Sequence, residues 1–144
     1  MESQVRTFVM KRGKDPDSIR KAVRANIPHS IVQTVRADAA TNSFFVEMIA
    51  VQTLRAWGTP DLLAQKPEVD LLLRLAGTTQ ISKAIDQIGV KKGEPFLLVV
   101  AGPARELTKL SREQVGGPGL RARKLSLAEL ERIETAALLN VAKA

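Results

Sequence analysis

The sequence predicts a single α/β domain, residues 1–144, with a mixed β-sheet of about four strands packed with about five helices. Three observations carry this. Short runs rich in β-branched and aliphatic residues recur at 5–10, 31–37, 69–76 and 95–101. Apolar residues repeat at helical spacing over 19–27, 44–57, 81–88 and 127–141. A chain of 144 residues is also long enough to bury a core of its own, and no internal repeat or low-complexity tract divides it.

The elements follow in order. VRTFVM, Val5 to Met10, reads as a first strand. Asp15 can cap a helix whose first position is Pro16, and Ile19, Ala22, Val23 and Ile27 form its apolar face. IVQTVRA, Ile31 to Ala37, reads as a second strand, and the cluster Asp38 to Ser43 then caps a helix over Phe44 to Trp57. Val46, Ala50, Leu54 and Trp57 line one stripe of that helix, with Phe45, Met48 and Ile49 beside it, so most of its circumference is expected to be buried. Gly58-Thr59-Pro60 stops it, and a loop runs to Pro67.

Val69 to Ala76 is an apolar run broken only by Asp70 and Arg74, the pattern of a central strand. Ile81, Ile85 and Ile88 then mark a helix ending at Gly89, and PFLLVVA, Pro95 to Ala101, is another buried strand. Strand, helix and strand in this order predict one right-handed βαβ crossover. A helix is expected over Pro103 to Gln114, and GGPG, Gly116 to Gly119, makes a turn. The final helix opens on a capping box, Ser126 to Glu129, with Leu127, Leu130, Ile133, Ala137, Leu138 and Val141 along its apolar face.

Composition narrows the chemistry. There is no cysteine and one histidine, His29, so thiolate metal sites, thiol nucleophiles and two-histidine sites are excluded. No cofactor is expected. Tyrosine is absent and aromatics make up 3%, leaving few platforms on which bases stack. No run approaches the roughly 20 apolar residues a bilayer requires, and nothing addresses the chain outside the cytosol, so a cytoplasmic location without membrane contact is expected.

The net charge is +7, unevenly placed: residues 104–124 hold six basic side chains against two acidic ones. Such an excess suits a polyanion, whose phosphates contribute affinity without sequence preference. A basic protein with an acidic protein partner has the same composition.

The junction Gly77-Thr78-Thr79-Gln80 is the one stretch that invites a ligand. It lacks the GxxxxGK[ST] lysine and the repeated glycines of GxGxxG, so it carries no nucleotide-catalysis signal. Glycine for the turn and a threonine as helix cap account for it structurally. Arg74, Gln80 and Lys83 add polar and cationic groups that neither role needs. His29 reads as a surface-loop residue and Trp57 as core or interface. Glu129 reads as a cap, and Glu131 and Glu134 as a solvated helix face. No catalytic constellation remains, and the chain is not expected to be an enzyme.

The block DLLLRLAGTTQISKAIDQIGVKKGEPFLLVVAG resembles the central part of the small kinase-binding subunit of the KEOPS complex. In that family an acidic-led apolar strand enters a Ser/Gly-containing turn. A helix of the form Q/N-I-S-x-A-I/L-x-x-x-G-I/V follows, then an aliphatic strand. Here those positions are Gln80-Ile81-Ser82, Ala84-Ile85 and Gly89-Val90. Only residues 68–101 match closely, with looser agreement in the helix from Asn42, the 58–67 connection and the Lys124-Leu125-Ser126 entry to the last helix. A compact chain without cysteine suits an archaeal member.

The resemblance implies a non-catalytic accessory subunit in threonylcarbamoyladenosine formation on tRNA. Its partners would be the N-lobe of the small RIO-like KEOPS kinase, the other subunits indirectly, and tRNA at its CCA end. It implies an RNA end near Gly77, Thr78, Thr79 and Gln80, with charge from Arg74 and Lys83 and aliphatic packing from Ile81 or Leu75. Arg121, Arg123 and Lys124 are the candidate phosphate contacts further along. For the kinase, the candidates are Leu138, Leu139 and Val141 at the C-terminus, where Leu139 falls off the main stripe, and Leu62 and Leu63 in a polar loop, and each is equally compatible with core packing. Three readings stay open: this RNA-holding scaffold, a protein-interaction module that meets an acidic partner and no RNA, and a small nucleotide-binding enzyme.

Overall fold

The computed structural model describes residues 2–143. Its strands are β1 (Ser3–Met10), β2 (Ile31–Arg36) and β3 (Phe96–Pro103). Its helices are α1 (Pro16–Asn26), α2 (Ser43–Ala56), α3 (Pro67–Ala76), α4 (Ile81–Ile88), α5 (Ala104–Leu107), α6 (Arg112–Val115), α7 (Leu127–Ala137) and α8 (Leu139–Lys143), with a 3₁₀ turn at Ala37–Ala39. The α/β class is as the sequence predicts. The sheet differs in detail: among the described residues it has three strands in the order β1-β3-β2, and both pairings are antiparallel. β1, α1 and β2 thus form a split βαβ unit, with β3 inserted between its two parallel strands.

The central strand explains the two layers of helices. Phe96, Leu98 and Val100 of β3 face α1 and pack with Phe8, Met10, Val23, Ile27 and Leu107. Leu97, Val99 and Ala101 face the other way, into a larger cluster with Phe45, Ile49, Leu71 and Leu73 from α2 and α3. A strand buried on both faces needs an unbroken apolar run, which is why FLLVVA reads so clearly. At the start of α1 Asp15 accepts from the Asp17 N–H at 3.3 Å, with Pro16 in the first turn.

Residues 67–76 form helix α3, not a strand, so the predicted βαβ crossover does not exist. The deciding signals are local. Pro67 suits the first helical position, Glu68 and Asp70 sit in the first turn, and Arg74 sits in the last. Gly77 ends the helix in the left-handed conformation, φ 74°. The two residues that interrupt the apolar run pair across one helical turn, with Arg74 Nε donating to Asp70 Oδ1 at 2.8 Å.

Two further expectations change. The helix expected over 103–114 is two short ones, α5 and α6. The last helix breaks at Leu138, and much of its apolar stripe faces outward, Leu127 being 75% exposed, Leu138 55% and Val141 67%, while Ile133 stays half-buried against the core as expected. The inward face carries Glu129, Ala136 and Leu139 instead. Polar ties to α2 fix this orientation. Asn42 Nδ2 donates to Glu129 Oε1 at 3.3 Å, and Gln52 Nε2 donates to the Ile133 carbonyl at 3.0 Å.

Candidate functional site: a basic surface joined through Arg132 and Asn42

The turn from α3 into α4 is built by the backbone. Gly77 and Thr78 both donate their N–H to the Leu73 carbonyl, at 2.8 and 3.2 Å. Thr78, rather than Thr79, supplies a side chain, its Oγ1 accepting from the Gln80 N–H at 3.1 Å. Gln80 occupies the N-cap of α4 without a side-chain bond. Thr79, Gln80, Ile81 and Lys83 are exposed and Thr78 is half-buried, so the turn presents polar groups, one isoleucine and one cation to solvent.

Arg74 does not belong to this surface. It is 4% exposed and tied to Asp70, the Ala136 carbonyl and the Asp61 carbonyl. Its charge is spent inside the fold, because Asp70 lies four residues back on the same helix. Leu75 is likewise buried and unavailable for stacking against a base.

Arg121, Arg123 and Lys124 are exposed and are positioned by α2. The Ser43 N–H donates to the Arg121 carbonyl at 2.9 Å. Asn42 Oδ1 accepts from the Arg123 N–H, and Asn42 Nδ2 donates to the Arg123 carbonyl, both at 3.1 Å. Asn42 thus fixes the backbone of the basic segment while also capping α2 through the Phe44 N–H.

These two groups, separate in sequence, are joined through Arg132. One of its guanidinium nitrogens donates to the Leu75 carbonyl at the end of α3 (3.2 Å) and to the Ala39 carbonyl (3.1 Å). The same group lies over the Phe45 ring at 4.2 Å, and burial lowers its pKa against the opposing pull of Glu129. Two residues beyond Ala39, Thr41 Oγ1 accepts from Arg123 Nη2 at 2.5 Å. The end of α3 and the basic segment are therefore linked indirectly, through Arg132 and the 39–41 stretch. Sequence reasoning missed its connectors. Asn42 is legible only as one of several capping residues, and Arg132 carries no local signal at all.

Glu129 holds the third side. Its carboxylate accepts from the Ser126 N–H at 2.9 Å, which together with the Asn42 amide and the Arg123 charge holds its pKa below the ordinary glutamate range. A carboxylate with a lowered folded-state pKa contributes stability above its unfolded pKa and loses it as pH falls through the folded value. Glu129→Gln is expected to cost about 1.5 kcal/mol at pH 7. Urea melts of the two proteins should converge as the buffer is acidified below the ordinary carboxylate range.

The residues expected to meet a protein partner divide. Leu138 and Val141 are exposed, on the outward stripe of the last helices. Leu63 and Leu139 are each only 7% exposed and belong to the core, so they are withdrawn from any surface. Leu63 is anchored there by its N–H to Asp70 Oδ2 at 2.9 Å, and Leu62 is half-buried beside it. Leu139 points inward because the helix is interrupted at Leu138, which resets the face. Phe44 and Met48, one turn apart on α2, are each nearly half exposed, and Trp57 is exposed at the helix end rather than in the core.

His29 is exposed, as its loop position suggests. Among the described residues no group of three His, Cys, Asp or Glu side chains is arranged to hold a metal ion, and no helix is long and apolar enough to cross a membrane. No protein-family model and no curated protein matches the chain.

Proposed function

We propose that this chain is a non-catalytic accessory subunit of a KEOPS-type tRNA-modifying complex that grips the complex's small kinase and holds tRNA at its CCA end. The observation that carries the RNA part is the link from the end of α3, where the exposed α3–α4 turn begins, through Arg132 and residues 39–41 to the exposed segment of Arg121, Arg123 and Lys124. Backbone-positioned polar groups suit a single-stranded end, and flanking cations suit the phosphates that lead to it. The resemblance of residues 68–101 to the kinase-binding subunit supplies the assignment to KEOPS. The outward stripe of Leu127, Leu130, Leu138 and Val141 supports the kinase part, since it leaves an apolar helix face exposed among the described residues.

Fluorescence anisotropy tests the RNA part, with a labelled tRNA intact and lacking its CCA end, across a salt series. Intact tRNA should bind and the trimmed one should bind at least roughly tenfold more weakly, a difference of about 1.4 kcal/mol. The double variant Thr79→Ala with Gln80→Ala should reproduce that loss without moving the melting temperature, because neither side chain bonds within the fold. Equal binding of both tRNAs would remove the end-holding role. The bare apolar stripe favours a second reading, a protein-interaction module with an acidic partner and no RNA. That reading predicts no tRNA binding even at low salt.

A further inference from the structure

The two edges of the sheet are treated differently. On β1 the outer edge is covered: the Val9 N–H donates to the Pro118 carbonyl and the Leu120 N–H to the Thr7 carbonyl, each at 2.8 Å. Thr7 and Val9 thus face away from β3, so the alternate residues of β1 bond to Leu98 and Phe96. The remaining β3 residues, Leu97, Val99 and Ala101, then face β2 and bond its Val35, Gln33 and Ile31. That phase leaves Val32, Thr34 and Arg36 with their backbone groups pointing away from the sheet. No strand pairs there, and among the described residues no backbone group outside the sheet bonds to Val32 or Thr34. The Thr34 N–H is met by a side chain, Gln33 Oε1, at 2.9 Å.

This edge is recessed rather than flush. Ile31 to Val35 are all buried although β2 is an edge strand. Two cavities lie along it. One of about 580 Å³ lies at Thr34 between the start of α1 and the Ile85–Val90 stretch. One of about 240 Å³ lies at Val32 between α1 and the start of α3. They share Arg20 and Gln33, so they read as one trench with the Gln33 amide across its middle. At the far end, Arg36 Nε is buried without an acceptor, although Nη2 of the same side chain reaches the Asp86 carbonyl at 3.0 Å.

We infer that this trench takes an extended peptide from a partner protein, which adds to β2 as a fourth strand. Outward backbone groups repeat every second residue, about 7 Å apart along the strand, and the occupant that matches them is another strand's backbone. A second copy pairing β2 to β2 is disfavoured by the recess, because each edge is walled in by its own α1 and α3. The incoming strand takes the Thr34 N–H in place of Gln33 Oε1, and a carbonyl or carboxylate near its end meets Arg36 Nε. Lys66 and Lys92 line the two cavities and, among the described residues, neither makes a direct ion pair, although Asp15 lies near enough to feel the Lys92 charge; acidic residues at the ends of the peptide suit these cations. This inference uses a different surface from the RNA reading and does not depend on it.

The test uses a capped peptide of alternating valine and threonine flanked by glutamates, and a copy N-methylated at every valine and threonine, which keeps the side chains but leaves neither edge able to donate as a strand. Titrated to millimolar concentration against isotope-labelled protein, the first should shift the amide signals of Val32, Thr34 and Arg36. The methylated copy should bind at least roughly tenfold more weakly. Thr34→Pro removes the edge donor at a position where no ladder bond is made, so it should abolish binding, and Thr34→Val should retain it. Unmoved edge amides, or equal shifts with the methylated copy, would overturn the inference on the wild-type protein alone. Edge shifts that grow with protein concentration in the absence of peptide would overturn it in favour of a second copy.

Discussion

Replacing Asp70 with alanine is expected to destabilise the protein by about 3–5 kcal/mol, the usual cost of breaking a buried ion pair from one side. Asp70 is fully buried and accepts three hydrogen bonds, from Thr53 Oγ1 at 2.6 Å, the Leu63 N–H at 2.9 Å and Arg74 Nε at 2.8 Å. The carboxylate therefore ties α2, the 58–66 connection and α3 together. Alanine leaves the Arg74 guanidinium, itself buried, without its counter-charge, and leaves the Leu63 N–H without its acceptor. The penalty comes from the stranded groups more than from the lost attraction. It follows that Asp70→Leu combined with Arg74→Met should recover much of the stability, since both charges then go together. Urea denaturation of the wild type, the single and the double variant separates the cases. A single-variant loss under about 1 kcal/mol would mean that Arg74 swings to solvent, which its position does not allow without opening the 58–66 connection.

The same pair shows where sequence reading stops. An aspartate and an arginine inside LLLRLA look like interruptions of a strand, and a run that is apolar on every side gives no period by which to tell strand from helix. Pro67 and Gly77 did bracket a helix, but the weight given to the apolar run concealed them. Strands β2 and β3 were legible because both of their faces are buried, so composition alone identifies them. Strand order was not, since pairing joins residues as far apart as Ile31 and Ala101, 70 positions, with no local trace. In the last helix, spacing correctly grouped Leu127, Leu130 and Leu138 on a shared face. It could not say that this face points outward, because Glu129 is held inward by Asn42 and the exposed Arg132 is tied by its guanidinium to the Ala39 carbonyl. The candidate RNA surface divides in the same way. Its cations could be read as a charge cluster, whereas the side chains that bring them together come from distant segments.

Changing Lys83, Arg121, Arg123 and Lys124 to glutamine is expected to weaken tRNA binding about a hundredfold at low salt and to flatten the salt dependence by about three units of slope. Each phosphate neutralised releases condensed counterions, so a lost contact appears both as lost affinity and as lost salt sensitivity. The fold should survive, because the segment is held through Asn42 and the Arg121 and Arg123 backbones, which glutamine leaves in place. What is given up is the exposed Arg123 bond to Thr41 and the Arg123 attraction for Glu129. Lys21 and Lys109, exposed beside α1 and α5 on the opposite layer, make the control: removing them lowers the net charge without touching the Arg132 scaffold. If the two sets weaken tRNA binding equally per charge removed, the RNA responds to overall charge alone and the joined surface has no special role. If the four-residue change leaves tRNA binding untouched, the basic surface serves an acidic protein. The apolar stripe on the last helices and this surface would then be two parts of a protein-only interface.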